Sequence, residues 1–173
     1  MSPQHPNEDV SGEDQLRRLL ALLAHCHAAA GAAGSEADLA ARICDSLTGC
    51  GGYSLACVGL LENGSHRLVA ARLGADAAAG AMLPSDWQDL DRFPQFSAFA
   101  GSLSLPLEAG GKALGRLRIY AAARALFSPE EHQLLRDIAT LLALALAVRR
   151  CTSEAEAAAR QDAGEALRLR DRA

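Results

Sequence analysis

The residues His25, Cys26 and His27 stand side by side in "AHCHAAAG" and bring metal-ligating atoms together in the chain. On a helix, successive residues point about 100° apart, so three neighbours cannot converge on one ion. Zinc sites on helices use spacings of three or four instead. The reading is a buried thiol between two surface histidines, with no metal. A second group is Arg116, Arg118 and Tyr120, alternating in "GRLRIY", with Ser104 on the strand expected beside them. Two guanidinium forks and nearby hydroxyls can hold a phosphate or carboxylate. Equally, the face they occupy can be merely solvated, since antiparallel sheets often keep one wet side. A third group is aromatic: Trp87, Phe93, Phe96 and Phe99 fall between Gly74 and Gly101. Trp87 and Phe96 either line a ligand cavity or plug their loop onto the sheet.

The remaining reactive types carry less. The five cysteines, Cys26, Cys44, Cys50, Cys57 and Cys151, include no C-x-x-C pair and read as reduced, mostly buried thiols. Glu130, Glu131 and Asp137 read as helix-entry and helix-surface charges. No catalytic residue and no cofactor is expected. A formal net charge of −4 over 173 residues argues against a general nucleic-acid binder. The longest apolar run, "LLALALAV", is far below the ~20 residues that span a bilayer. The start lacks the basic and apolar regions of a signal peptide. These features predict a soluble, cytoplasmic protein with no membrane partner.

The elements that must position these groups are legible from period and punctuation. Residues 1–12 are polar, contain prolines and read as a disordered tail. Ser11 caps a helix in which Leu16, Leu19, Leu20 and Leu23 recur at helical spacing, and Gly31 ends it. Ser35 caps a second helix, with Leu39, Ile43 and Leu47 on one face. The period then shortens. Tyr53–Glu62 and His66–Leu73 read as strands turning at Asn63-Gly64. Gly74–Gly101 reads as loop with one short helix. "SLSLPLEAGGKALGRLRIY" is a second hairpin, turning near Ala109-Gly110-Gly111. In it, Leu103, Leu105, Leu107, Leu117 and Ile119 share one face, and Ser102, Ser104, Arg116, Arg118 and Tyr120 the other. Ser128, Pro129 and Glu131 open the closing helix as a capping box. Leu134, Ile138, Leu141, Ala145 and Val148 form its stripe, with Leu135 and Leu142 beside it. Ser153 and Glu156 can cap a restart, and "ALRLRDRA" still reads as helix.

This order of elements resembles the GAF domain of bacterial signalling proteins. Three stretches carry the likeness: "SEADLAARICDSL" running into "YSLACVGLLENGSHRLVA", the "PL…GG…LG-x-L" hairpin, and "FSPEEHQLLRDIATLLALAL". The resemblance implies an α+β fold with an antiparallel sheet of five to six strands. The terminal helices would pack on one face, and a pocket-side segment on the other. It divides the chain into a tail (1–12), a GAF-like domain (13–150) and a helical connector (151–173) leading toward a PAS-like or other downstream domain. The short stretch between Leu73 and Ser104 implies a reduced lid and a shallow or absent pocket.

The closing helix is apolar nearly all round from Leu141 to Val148, and such a helix needs more than one partner. The expectation is a homodimer through Leu16, Leu19, Leu20, Leu23, Leu141, Leu144 and Val148. The alternative is that the chain's own first helix covers the surface. The functional expectation is a non-catalytic input module of a histidine kinase or cyclic-di-GMP enzyme. It would act through a small anionic ligand at Arg116, Arg118, Tyr120, Ser104, Trp87 and Phe96, through dimerised terminal helices, or through both. A ligand-free spacer is the alternative. A redox enzyme resembling free methionine sulfoxide reductase is the third reading.

Overall fold

Local chemistry sets the element boundaries in the computed structural model, which describes residues 7–77, 81–122 and 127–170. Helix α1 spans Asn7–Ala32 and helix α2 spans Glu36–Gly49. Ser35 sits in extended backbone, and its hydroxyl accepts from the Asp38 amide at 3.0 Å. The Asp38 carboxylate in turn accepts from the Gly34 amide at 2.9 Å, so amides at the helix entry are satisfied on both sides of the cap. Strands β1 (Leu55–Glu62) and β2 (Ser65–Leu73) follow. Their two-residue turn puts Asn63 at φ 50° and Gly64 at φ 81°, the left-handed pair that matches strand twist. Two single turns, α3 (Asp89–Arg92) and α4 (Pro94–Ser97), lead to β3 (Gly101–Ala109) and β4 (Lys112–Ala121), which turn at Gly110-Gly111. Helix α5 runs from Pro129 to Arg170, with the Ser128 hydroxyl accepting from the Glu131 amide at 3.2 Å.

The sheet is antiparallel with order β2-β1-β4-β3. Helices α2 and α5 cover one face, α2 over β1 and β2 and α5 over β3 and β4. Ile43 and Leu47 of α2 meet Val58, Leu105, Leu117 and Ile119 of the sheet and Leu135, Ile138 and Leu142 of α5 in one buried cluster. At about 1.5–3 kcal/mol for each large apolar side chain, this cluster is the main source of stability. The other face carries a smaller cluster of Leu55, Cys57, Ala71, Trp87, Leu90, Phe96 and Tyr120.

Several expectations are corrected. The sheet has four strands among the described residues, not five or six. The segment after β2 is spent instead on α3 and α4, where Asp86, which accepts from the Gln88 and Asp89 amides, and Pro94 favour turns. It is α2, not α1, that seals the sheet beside α5, while α1 lies outside them, packed on both. The inward face of α1 is therefore Leu19, Leu22, Cys26 and Ala29, and Leu16 and Leu20 are each 58% exposed. Helix α1 begins at Asn7, so Asn7–Gly12 belong to it and not to a tail. The early acidic residues Glu8 and Asp9 suit a helix N-terminus. Met1–Pro6 lie outside the described residues. Helix α5 continues through Ser153 without a break, and residues 151–170 are exposed throughout. Its buried apolar stripe is Leu135, Ile138, Ala139, Leu142, Ala143 and Leu146, which keeps Ile138 and the flanking Leu135 and Leu142 of the expected stripe and leaves Val148 exposed.

Candidate functional site

The hairpin β3–β4 distributes its side chains as the alternation requires. Leu117 and Ile119 are fully buried on the helix side. Arg116 and Arg118 project from the opposite face, opposite Gly59 and Cys57 of β1. Arg116 is exposed, and its guanidinium donates to Ser104 Oγ at 3.3 Å, from the neighbouring strand. Arg118 is engaged differently. It donates to both Asp91 oxygens, at 2.7 and 3.3 Å, and its Cζ lies 5.0 Å from the centre of the Trp87 ring. Of the two arginines, only Arg116 therefore lacks a carboxylate partner among the described contacts.

Trp87 is 6% exposed. It packs against Gly59, where a Cβ would fall 2.5 Å from the indole. Only glycine lets the ring approach the strand so closely. The loop is held by reciprocal capping. Asp86 Oδ1 accepts from the Gln88 and Asp89 amides, at 2.7 and 3.0 Å. Asp89 Oδ2 accepts from the Ser85 and Asp86 amides, at 2.7 and 3.0 Å. Phe96 is buried beneath the same cluster, and Phe99 lies 5.3 Å from Tyr120. Tyr120 is thus a correction. It shares the parity of the arginines but is 5% exposed, because Phe99 and the α3–α4 segment cover that end of the strand. Burial raises its phenol pKa, partly offset by the Arg118 hydrogen bond and charge. Trp87 and Phe96 pack the segment after β2 onto this face of the sheet.

His66, from β2, was not singled out by the sequence. Its ring stacks against Trp87 at 5.5 Å with a 28° tilt. Partial burial lowers its pKa, and the charges of Arg116 and then Arg118 lower it further. Beside it opens a cleft of about 440 Å³ between the β1–β2 turn and residues 85–88, whose lining includes Glu62, His66, Arg67, Ser85, Asp86 and Trp87.

A second polar centre lies at the other end of the fold. Glu131 is fully buried, which corrects its reading as a helix-entry charge. Its Oε1 accepts from Arg18 Nη2 of α1 at 2.9 Å and from the Tyr53 hydroxyl, and Arg18 also donates to the Gly51 carbonyl. The Tyr53 ring stacks on Phe127 at 5.8 Å, with Arg18 over it at 5.9 Å. Burial and the Glu131 carboxylate both push the Tyr53 phenol upward. At the far end of α1, Arg149 of α5 donates to the Ala30 and Ala33 carbonyls, at 2.9 and 2.8 Å. These two contacts fix α1 and α5 as parallel neighbours.

The remaining candidates separate cleanly. Cys26 is buried between exposed His25 and His27. Burial pushes the Cys26 and Cys57 thiols up to about 12, and Cys44 well above the usual thiol range. Of the expected interface residues, Leu19 is buried within the subunit, Leu23 and Leu141 are half-buried, and Leu16, Leu20, Leu144 and Val148 are exposed. No described helix is long and apolar enough to cross a membrane.

No protein-family model and no curated protein matches the sequence. Solved structures do match. The GAF domain of a phosphoenolpyruvate-protein phosphotransferase from Coxiella burnetii superposes with a TM-score of 0.62 and 17% identity, over 80% of this chain and 98% of that one. The phycoerythrobilin-bound GAF domain of a cyanobacterial phytochrome gives 0.57 and 12%, over 80% and 97%. Free methionine-R-sulfoxide reductase from Neisseria meningitidis, in complex with its substrate, gives 0.59 and 15%, over 78% and 91%. The sheet order, the layer of α2 and α5 and the capped segment above β1 and β4 therefore assemble into one known architecture: the chain has the GAF fold.

Proposed function

We propose that this chain is a non-catalytic regulatory module of a bacterial signalling protein, and that it works by shifting α1 and α5 within a pair formed with a second copy. One observation carries the reading: Trp87 and Phe96 plug the pocket side, whereas the terminal helices present unpaired apolar residues. Leu16 and Leu20 of α1 and Leu144 and Val148 of α5 are all more than half exposed. Leu141, Leu144 and Val148 follow the alternating spacing of three and four that joins parallel helices, and Cys151, Ala155 and Ala158 continue it. A shift of parallel helices can pass along α5, a 42-residue rod of about 60 Å. The GAF domain of the phytochrome supports the sensory setting. Light scattering tests the pairing: wild type should show twice the chain mass and Leu144→Arg the chain mass. A wild-type monomer at about 100 μM would end this reading, since functional dimers bind more tightly.

Arg116 favours a second reading, a small-anion sensor, because it is exposed beside Ser104 and lacks a carboxylate partner among the described contacts. Sulfate should raise the melting temperature of wild type and leave that of Arg116→Ala unchanged. The reductase reading is the weakest, because a redox thiol reacts as the thiolate, and burial holds Cys26, Cys44 and Cys57 protonated.

A further inference from the structure

Phe127 stands immediately before the Ser128 cap of α5 and adopts φ 82°, in the left-handed region that a bulky side chain rarely enters. Such a conformation persists only where the packing around it over-determines it. Two contacts do so here. The ring stacks on Tyr53, 5.8 Å between centres and 5° from parallel. It also lies so near Gly101 that a Cβ there would come within 3.2 Å of it. These two neighbours lead to opposite sides of the sheet. Tyr53 shares the buried Glu131 carboxylate with Arg18, which ties α1 to α5. Gly101 opens β3, two residues after Phe99, whose ring packs on the far face. Phe99 also lies on Tyr120, and the Tyr120 carbonyl accepts from the Ser54 amide at 2.9 Å, next to Tyr53. Two short routes therefore join Phe99 to the Arg18 clamp, one through Gly101 and Phe127, the other through Tyr120 and Ser54.

We propose that Phe127 is a two-position coupler between the segment that carries Phe99 and the terminal helices. Seated, as in this structure, its packing offsets the backbone strain, and the Tyr53 ring backs Arg18. When Phe99 and Gly101 move, the packing is lost and the strain is not. The backbone then relaxes to negative φ and the ring withdraws. Tyr53 loses its stacked neighbour, and the end of α1 that holds Arg18 loosens from α5. The other end stays fixed, because Arg149 donates to the Ala30 and Ala33 carbonyls there. The motion is a pivot of α1 about its C-terminal end. This rests on the helix-shift reading above and adds what drives the shift.

The test is amide hydrogen exchange of the full chain, with α2 as the internal control. Gly101→Ala presses on the ring and removes no contact, and Phe99→Ala loosens the segment. Each should speed exchange over residues 14–22 of α1 by several fold, and leave residues 26–32 and α2 near wild type. Phe127→Gly, which removes the ring and the strain together, should loosen residues 14–22 as well. Adding Phe99→Ala to it should change nothing more, because the coupler is already gone. A further acceleration in that double variant would route the link through Tyr120 alone and overturn the proposal. Equal acceleration of α1 and α2 would report a general loss of stability and overturn it too. Light scattering on the same samples separates this from the pairing. Unchanged α1 exchange in a chain of dimeric mass would overturn the coupler and leave the pair standing. Faster exchange confined to residues 14–22 in a chain of monomeric mass would support the coupler and end the pairing.

Discussion

The two sides of the sheet build the same trio to different ends. Each sets an arginine on an aromatic ring and pairs it with a carboxylate from a distant element. On the helix side Arg18 leans on Tyr53 and pairs with Glu131; on the plug side Arg118 leans on Trp87 and pairs with Asp91. What differs is water. The Glu131 side chain is 0% exposed and that of Asp91 69%. A buried carboxylate cannot trade its partner for solvent, so the first trio is a clamp on α1, the α2–β1 connection and α5. An exposed carboxylate trades at little cost, so the second is a contact that a competing anion can displace.

The largest effect should follow from breaking the buried trio. Arg18→Met removes the cation and strands the Glu131 charge, whose Oε2 already has no described partner. The expected loss is about 3 kcal/mol, read as a fall in the urea midpoint at unchanged slope. Arg18→Met with Glu131→Leu should recover much of it, because a pair replaced by packed apolar groups leaves no stranded charge. A single variant as stable as wild type would erase the distinction between the two trios.

The plug comes next. Gly59→Val puts a branched side chain where Trp87 now rests, and overpacking of this kind costs about 1–3 kcal/mol. Trp87 is the only tryptophan, so its emission should shift to the red as the ring leaves the strand. An unshifted spectrum would mean that the loop adapts and that the plug is not set by this contact.

The sequence announced what is local and missed what is not. Asn63-Gly64, Gly110-Gly111, Ser35 and Ser128 signal turns and caps because each acts on backbone within a few residues. The alternation in β4 assigned Leu117 and Ile119 to the core for the same reason. Glu131 escaped because a carboxylate at the third position of a helix reads as a cap partner. Its true partners, Arg18 and Tyr53, lie 113 and 78 residues away in the chain. Tyr120 escaped because alternation gives a face but not what covers it. Phe99 covers it, and nothing in "DRFPQFSAFA" states where that ring lands. The outer position of α1 was hidden likewise, since amphipathic helices look alike whether they meet a sheet or other helices.

The exposed trio should respond weakly. Arg118→Met forfeits an ion pair with a largely solvated partner and a cation–π contact, together about 1 kcal/mol. Urea unfolding should place this variant well above Arg18→Met in stability, and an equal loss in both would show that exposure does not separate the pairs.

The smallest effect is the pH dependence carried by His66. Its folded-state pKa lies below the ordinary histidine value, because burial and the two arginine charges disfavour the imidazolium. Well above about pH 6.5 both folded and unfolded chains hold it neutral, and it contributes nothing to the slope. As pH falls below that value the unfolded chain binds the proton first, so stability drops until the folded histidine titrates as well. His66→Asn should flatten the urea midpoint as pH falls below about 6.5, relative to wild type. Arg116→Gln should flatten it in part, because it removes the largest charge acting on the ring and leaves desolvation in place. A wild-type profile that rises on acidification would show that burial and the two arginines do not disfavour the imidazolium in the folded chain.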